Sequence, residues 1–134
     1  RLSKSCKLEI IEVADEKTPD NASEVMEDQI KEKEALRLID KLKEDAYVFT
    51  LEIKGKKYTS ESFAETVQKI TVQGKSHLVF IIGGSLGLHT SVLKYSQQSI
   101  SFSDMTFPHQ LMRVILTEQI YRAFRIINNE PYHK

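Results

Sequence analysis

The sequence contains no tryptophan and a single cysteine, Cys6, among its 134 residues. One thiol can form neither an intrachain disulfide nor a paired-cysteine metal site, and this usage suits a reducing compartment. No apolar run approaches the roughly 18 residues needed to cross a bilayer. No signal peptide is visible, although the chain begins at Arg1 rather than at a methionine. These absences predict a cytoplasmic protein without membrane spans.

The chain also lacks an excess of either charge, because 19 Lys and Arg residues balance 19 Asp and Glu residues. This balance argues against a protein that coats nucleic acid through net charge alone. The charges are unevenly distributed, however: acids outnumber bases between residues 12 and 34, and bases outnumber acids between residues 107 and 134. The C-terminal segment is therefore the part expected to meet a phosphate backbone.

The length, with 40% hydrophobic residues, predicts one domain, residues 1–134, built on a single core. Strand-like and helix-like patterns alternate, which predicts an α/β fold with a mostly parallel sheet and helices on both faces. In such sheets ligands bind beyond the C-terminal ends of the strands, so the loops after residues 53, 82 and 102 are expected to form the site. The predicted strands are 7–13, 46–53, 78–82 and 99–102, and the predicted helices are about 21–43, 60–74 and 108–127.

Short-range signals locate the ends of these elements. Asn21 followed by Glu24 resembles a capping box at the start of the first helix. The Lys-Gly-Lys run at 54–56 predicts a turn after the second strand. The remaining signals are Ser60 or Ser62 as the cap of the second helix, Gly74 as its end, and Pro108 as the first residue of the last helix.

A glycine-rich turn, Gly-Gly-Ser-Leu-Gly at 83–87, follows the apolar strand LVFII. It matches neither the dinucleotide fingerprint nor a Walker loop, and a plain tight turn is an equally good interpretation. The same residues match the G-x-S-x-G elbow of α/β-hydrolases, with Ser85 as the nucleophile and Asp104 and His109 following in the order of that triad. A small serine esterase is therefore an alternative hypothesis.

The last predicted helix and its flanks carry most of the remaining chemistry. The loop SDMTFP at 103–108 precedes a helix N-terminus, which can hold a carboxylate or phosphate, although a simple cap by Thr106 is the alternative. Helical spacing puts Gln110, Arg113, Thr117 and Tyr121 on one face and pairs Glu118 with Arg122. The terminal residues 130–134 predict a frayed end, but they include a histidine able to exchange protons near neutral pH.

Taken together, these stretches resemble the ribosomal RNA large subunit methyltransferase H family of the SPOUT superfamily. The resemblance extends over essentially the whole chain. Family members begin with a further strand and helix before the position of Arg1, so these two elements are expected to be missing here. The matching stretches are KLEIIEVADEK, IKEKEALRLI, TLEIKGK at 50–56, FIIGGSLGLH at 80–89, SFSDMTFPHQLMRVILTEQIYRAF at 101–124 and PYHK at 131–134.

The resemblance implies a SPOUT α/β-knot, a doubly wound domain whose C-terminal part threads a trefoil knot. It implies a homodimer that uses S-adenosyl-L-methionine to methylate N3 of a pseudouridine in the decoding-region stem-loop of large-subunit (23S) ribosomal RNA. The substrate is the assembled ribosome, and no metal is implied. A non-catalytic RNA-binding module is the third hypothesis.

Site residues follow from the matching motifs. For this activity our candidate for proton removal is His133, with Tyr132 placing the base, and His109 is a second candidate. Arg113 or Lys134 would hold phosphate or the developing anion. The implied RNA-binding residues are Arg122, Arg125 and Lys134. The implied cofactor-binding residues are Leu51, Gly83, Phe102, Ser103, Asp104, Met105, Thr106 and Phe107.

Overall fold

A computed structural model describes residues 6–12, 20–21, 23–83 and 87–134. Strands and helices alternate along this part of the chain as the sequence predicts, except that a short helix between the last two strands was not predicted. In order they are β1 (Lys7–Glu12), α1 (Glu24–Ile39), β2 (Tyr47–Lys57), α2 (Ser60–Val72), β3 (His77–Ile82), α3 (Thr90–Leu93), β4 (Gln98–Ser101) and α4 (His109–Ile127). No helix in the described ranges is both long enough and apolar enough to cross a membrane.

The four strands form one parallel sheet in the order β1-β3-β2-β4. All six residues of β3 are buried, which accounts for the unbroken apolar run that predicted this strand. β1 pairs with β3 from Lys7 opposite His77 to Glu12 opposite Ile82. The predicted α/β class with a parallel sheet is confirmed, and the trefoil knot remains a prediction.

Helices cover both faces of the sheet, as predicted. On one face α2 and α4 bury Phe63, Val67 and Leu116 against side chains of β2, β3 and β4. On the other face α1 and α3 bury Leu38 and Val92 against β1, β2 and β3. Successive residues of β3 point to opposite faces, so the alternation of its apolar side chains supplies both cores.

The predicted turn at 54–56 is wrong, because β2 continues through these residues to Lys57. The strand pairs with β4 twice, with an irregular register between Leu51 and Lys56. A Cβ added to Gly55 would lie 2.7 Å from backbone atoms of Ile100. Glycine therefore serves here for close approach of two strands rather than for a turn.

Two helix caps differ from the prediction. α1 is capped by Ser23, whose side chain accepts from the Met26 N–H, and Asn21 lies before it with a φ of 62°. α2 is capped by Thr59, and Ser62 completes a capping box with it. In both helices a neighbouring hydroxyl satisfies the free N–H groups that the predicted residue was expected to satisfy.

The other helix ends agree more closely with the prediction. Gly74 follows α2 with a φ of 104°, a conformation that favours glycine, so its predicted role is confirmed. Pro108 is the N-cap of α4 rather than its first helical residue, and the helix ends at Ile127 as predicted. The hypothesis that Thr106 caps this helix is wrong, since α4 has no side-chain cap.

Candidate functional site

A cavity of about 880 Å³ lies beyond the C-terminal ends of β3 and β4 and beside residues 51–54 of β2. Its volume is within the range of pockets that hold small molecules and cofactors. Leu51, Gly83 and Met105 come from three separate segments and all line it. The three segments that the sequence predicted to meet at this edge therefore share one hollow, although the first of them is part of β2 rather than a loop. The lining consists of residues 51–54, 82–83, 87–88, 100–103 and 105–110, with Met112.

The inner wall is built where β3 ends and where β2 ceases to pair with it. Leu51 packs against the core on the side of α2 and α4 and also faces the cavity. Gly83 follows β3 directly, and a Cβ at this position would lie 2.6 Å from Cδ2 of Leu88. Any larger residue at position 83 would displace Leu88, which itself lines the cavity. The described part of the glycine turn is thus fitted closely to this wall.

The outer wall is the loop at 102–107. Short-range hydrogen bonds hold this loop in shape. The Ser101 hydroxyl donates to the Ser103 carbonyl at 2.9 Å, and the Ser103 hydroxyl accepts from the Met105 N–H at 2.9 Å. Met105 is 71% exposed and lies at the cavity mouth. Phe102, Ser103, Thr106 and Phe107 line the cavity with it.

Asp104 differs from the rest of this loop. It is not among the lining residues, and its carboxylate pairs with Lys57 at 2.5 Å. Its side chain is 78% exposed. Seven of the eight residues that the resemblance assigns to the cofactor line the cavity, and Asp104 instead anchors the loop to the end of β2.

The N-terminus of α4 opens onto the same cavity. His109 and Gln110, in its first turn, are lining residues, and no side chain caps the helix. The first backbone N–H groups of such a helix have no intrahelical partner, and they attract a carboxylate or phosphate group. Arg113, one turn further along, lies outside the lining and pairs with Glu12 at the end of β1, 3.2 Å away.

The C-terminal residues are docked on the protein rather than frayed. The Tyr132 hydroxyl donates to Glu118 at 2.8 Å. His133 lies between two helices: its Nδ1 is 3.0 Å from Arg122 of α4, and its Nε2 is 3.1 Å from Glu61 of α2. Since a guanidinium can only donate, Nδ1 accepts and the ring proton lies on Nε2, facing the Glu61 carboxylate.

The electrostatics of this cluster are consistent with a fixed tail. The Arg122 guanidinium, bonded to Glu118 through two nitrogens, lowers the pKa of that carboxyl, and the Tyr132 hydroxyl adds to the effect. The hydrogen bond to Glu118 in turn raises the pKa of Tyr132. The pKa of Glu61 is lowered, first by its own backbone N–H and then by His133. The predicted pair of Glu118 with Arg122 is confirmed.

The residues implied to bind RNA are largely engaged within the chain. Arg122 contacts Glu118 and His133, and its guanidinium lies 4.9 Å from the centre of the Tyr132 ring. Arg125 pairs with Glu130 at 3.2 Å. Lys134 is exposed. The two arginines thus hold the tail in this structure, and a role in binding RNA remains a prediction for all three residues.

The tail and the cavity lie at different places along α4. The cavity extends along α4 only as far as Met112, whereas His133 docks beside Arg122, and a helix rising 1.5 Å per residue separates these positions by about 15 Å. None of residues 130–134, which are all described, lines the cavity. Of the implied catalytic residues, the structure therefore brings only His109 to the cavity of its own chain.

Sequence reasoning missed three acids that define this arrangement. Glu52 is the only carboxylate among the described lining residues, Glu61 holds His133, and Glu12 holds Arg113. Glu52 could have been found, because it is adjacent to Leu51 and close to residue 53, where the sequence predicted a strand to end at the site. Glu61 and Glu12 contact residues distant in sequence, and no local pattern indicates such pairs.

A group with metal-ligand composition lies elsewhere, where Asp28, Glu32 and His89 bring their ligand atoms within 4.8 Å of one another. His89 Nδ1 accepts from the Ser91 N–H as the cap of α3, which leaves the ring proton on Nε2. That nitrogen lies 3.5 Å from Asp28. The ring therefore acts as a helix cap and an ion-pair partner.

Comparison with known proteins identifies the family. A family model described as "Predicted SPOUT methyltransferase" matches residues 1–133. A protein of Methanococcus maripaludis is 60% identical over all 134 residues, which correspond to 84% of its own length. Proteins named ribosomal RNA large subunit methyltransferase H from Clostridium botulinum and Bacillus cytotoxicus are 58% and 55% identical over the same shares.

The chain belongs to the SPOUT methyltransferase family. This SPOUT methyltransferase is an enzyme that requires a methyl donor, and its cavity at the strand ends is the candidate site for that donor. The esterase hypothesis is set aside on the family match, and its proposed nucleophile, Ser85, lies outside the described residues. The resemblance inferred from the motifs is confirmed by the family match and by relatives 55–60% identical.

Proposed function

We propose that this protein methylates N3 of a pseudouridine in large-subunit ribosomal RNA, with S-adenosyl-L-methionine as the methyl donor. The observation that carries the proposal is the shared cavity of Leu51, Gly83 and Met105 next to the uncapped start of α4. The names of the relatives supply the substrate class, since they designate ribosomal RNA large subunit methyltransferases. The whole chain aligns with these relatives.

The residues of the cavity fit the chemical groups of this donor. Leu51, Ile82 and Met105 offer apolar surface for an adenine ring. The free N–H groups at the start of α4 would hold the carboxylate of the methionine part. When bound, the donor supplies a methyl group on a positively charged sulfur. The chain's contribution is to orient that group and to exclude water from it.

Transfer to a ring nitrogen also requires removal of the N3 proton, and we assign this step to His133. In the docked tail Arg122 donates to His133 Nδ1, so that interaction must break before Nδ1 can accept a proton. Tyr132, held by Glu118, would keep the imidazole in place. His109, at the cavity, is the second choice for the base, and Arg113 or Lys134 would hold phosphate or the developing anion.

The separation of about 15 Å along α4 supports a homodimer in which the tail of one protomer serves the cavity of its partner. Large apolar side chains are exposed close to the cavity mouth, as expected of a surface covered by a second copy. Met105 is 71%, Leu111 46% and Val114 64% exposed. Arg122, Arg125 and Lys134 would then lie near bound RNA. The reaction would take place in the cytoplasm, on assembled ribosomes.

Co-expression of two inactive variants tests the shared site. His133→Ala removes the base and Gly83→Trp fills the cavity, so neither homodimer should methylate ribosomes. If tails act in the partner's cavity, random pairing leaves about a quarter of the sites with an intact cavity and an intact tail. Activity recovered on co-expression supports the proposal. Full activity of His133→Ala alone would remove this residue from the mechanism, and ribosome association without donor binding would favour the RNA-binding module.

A further inference from the structure

Glu52 differs in charge from the rest of the cavity. It is the only carboxylate among the described lining residues, because Asp104 is turned to Lys57. Glu52 is only partly exposed. A carboxylate in a mostly apolar pocket needs hydrogen-bond donors, and the donor for one oxygen is already present.

That donor fixes the side chain in place. The Ser99 hydroxyl donates to Glu52 Oε2 at 2.5 Å. Ser99 lies on β4 and its hydroxyl is also 2.9 Å from the Thr50 hydroxyl, so the contact is part of a small network between the two strands. Glu52 Oε1 takes part in none of the hydrogen bonds between described residues. One oxygen is therefore held by the protein, and the other is left to accept from a ligand.

The position of Glu52 indicates which ligand group it meets. β2 and β3 are adjacent parallel strands; β3 leads into the glycine turn at Gly83, and Glu52 lies on β2 just after Thr50, the last residue that pairs with β3. In nucleotide-binding α/β sheets, an acid on the strand next to the glycine turn accepts hydrogen bonds from the ribose hydroxyls of the ligand. Glu52 has the corresponding place in the sheet, although it precedes the glycine turn in the chain. The carboxylate of the donor would be repelled by Glu52 and drawn instead to the start of α4.

We infer that Glu52 is a specificity-determining residue that accepts hydrogen bonds from the ribose hydroxyls of the methyl donor, with Ser99 as its positioning residue. The inference rests on the proposed function, and it names a contact that the motifs did not indicate. A nearby carboxylate could alternatively attract the positive sulfur, so the test must separate the sugar from the sulfur.

Titration calorimetry separates them with two ligands whose sulfur is uncharged, S-adenosylhomocysteine and its analogue lacking both ribose hydroxyls. Loss of hydrogen bonds to a charged group typically costs about tenfold or more in affinity. Glu52→Gln, which has nearly the same shape, should therefore bind S-adenosylhomocysteine about tenfold more weakly, but should bind the deoxygenated analogue as the wild type does. Ser99→Ala leaves the carboxylate intact but unsupported, and should show a smaller loss with the same selectivity.

Glu65→Gln is the matched control, since Glu65 is an exposed acid of α2 that pairs only with Lys69 among the described residues and lies outside the cavity lining. It should leave both affinities unchanged. The inference is overturned if Glu52→Gln weakens both ligands equally, or if it weakens only S-adenosylmethionine, which has the charged sulfur. A wild-type protein that binds neither nucleoside overturns the proposed function as well, whereas normal wild-type binding without ribose selectivity overturns this inference alone.

Discussion

Replacement of Gly55 by alanine tests how closely β2 and β4 approach each other beside the cavity. The new Cβ would lie 2.7 Å from N and C of Ile100 and 2.8 Å from C of Ser99. All three are backbone atoms, so the strands must move apart. Overpacking of this kind costs about 1–3 kcal/mol, and the lower chain entropy of alanine offsets about 0.5–1 kcal/mol. We expect a net loss of about 1–2 kcal/mol in the free energy of unfolding, measured by urea denaturation.

The same movement should reach the ligand, because Ile100 lines the cavity. Gly55→Ala should therefore also weaken S-adenosylhomocysteine binding in calorimetry. Gly74→Ala is the control: it strains a residue with a φ of 104°, but its Cβ meets nothing within 4 Å. It should destabilise the protein by about 1 kcal/mol and leave the affinity unaltered. Gly55→Ala with wild-type stability and wild-type affinity would refute the account of this strand pair.

Three further predictions concern the core and the tail. Phe80→Ala removes a fully buried ring stacked 4.6 Å from Phe49, and should cost about 3–5 kcal/mol in urea denaturation. Tail docking should weaken at both ends of the pH scale, as followed by tyrosine absorbance and fluorescence. Because the pKa of Glu118 is lowered, the stabilisation of the docked tail by its carboxylate is complete above the ordinary pKa of 4.5 and is lost as the pH falls through the lowered pKa. Because the pKa of Tyr132 is raised, the stabilisation of the docked tail by its hydroxyl is complete below the ordinary pKa of 10.0 and is lost as the pH rises through the raised pKa. His133→Ala should reduce methyl transfer to ribosomes by 10²-fold or more while leaving S-adenosylhomocysteine affinity unchanged; equal losses in both would mean that the tail supports the cavity instead.

Elements with a strong local cause could be predicted from sequence, and elements set by distant contacts could not. β3 was predictable because the five apolar residues in succession at 78–82 are typical of a strand covered on both faces. Gly55 was interpreted as a turn because its effect is determined by Ile100, 45 positions later in the chain. The tail was expected to fray because Glu61, which holds His133, belongs to another helix.

The candidate site was likewise predictable where a local rule applied, and unpredictable where contacts between distant residues decide the structure. The strand-end rule placed Leu51, Gly83 and Met105 at one edge, and the cavity contains all three. The rule could not show that Asp104 turns away to Lys57, since that contact depends on the path of β2 beyond its irregular register. It also gave no distance between the cavity and the tail. That distance follows only from the length of α4 and from the point where the tail docks.

The most direct test of the account is a titration of ¹⁵N-labelled protein with S-adenosylhomocysteine, followed by amide chemical shifts. If the three strand-end segments hold the methyl donor, the largest changes will occur at residues 51–54, at Gly83 and in the loop at 102–107, together with the first turn of α4. Residues of α1, on the other face of the sheet, should change little. Saturable binding with its largest changes outside these segments, or no binding at all, would contradict the central claim.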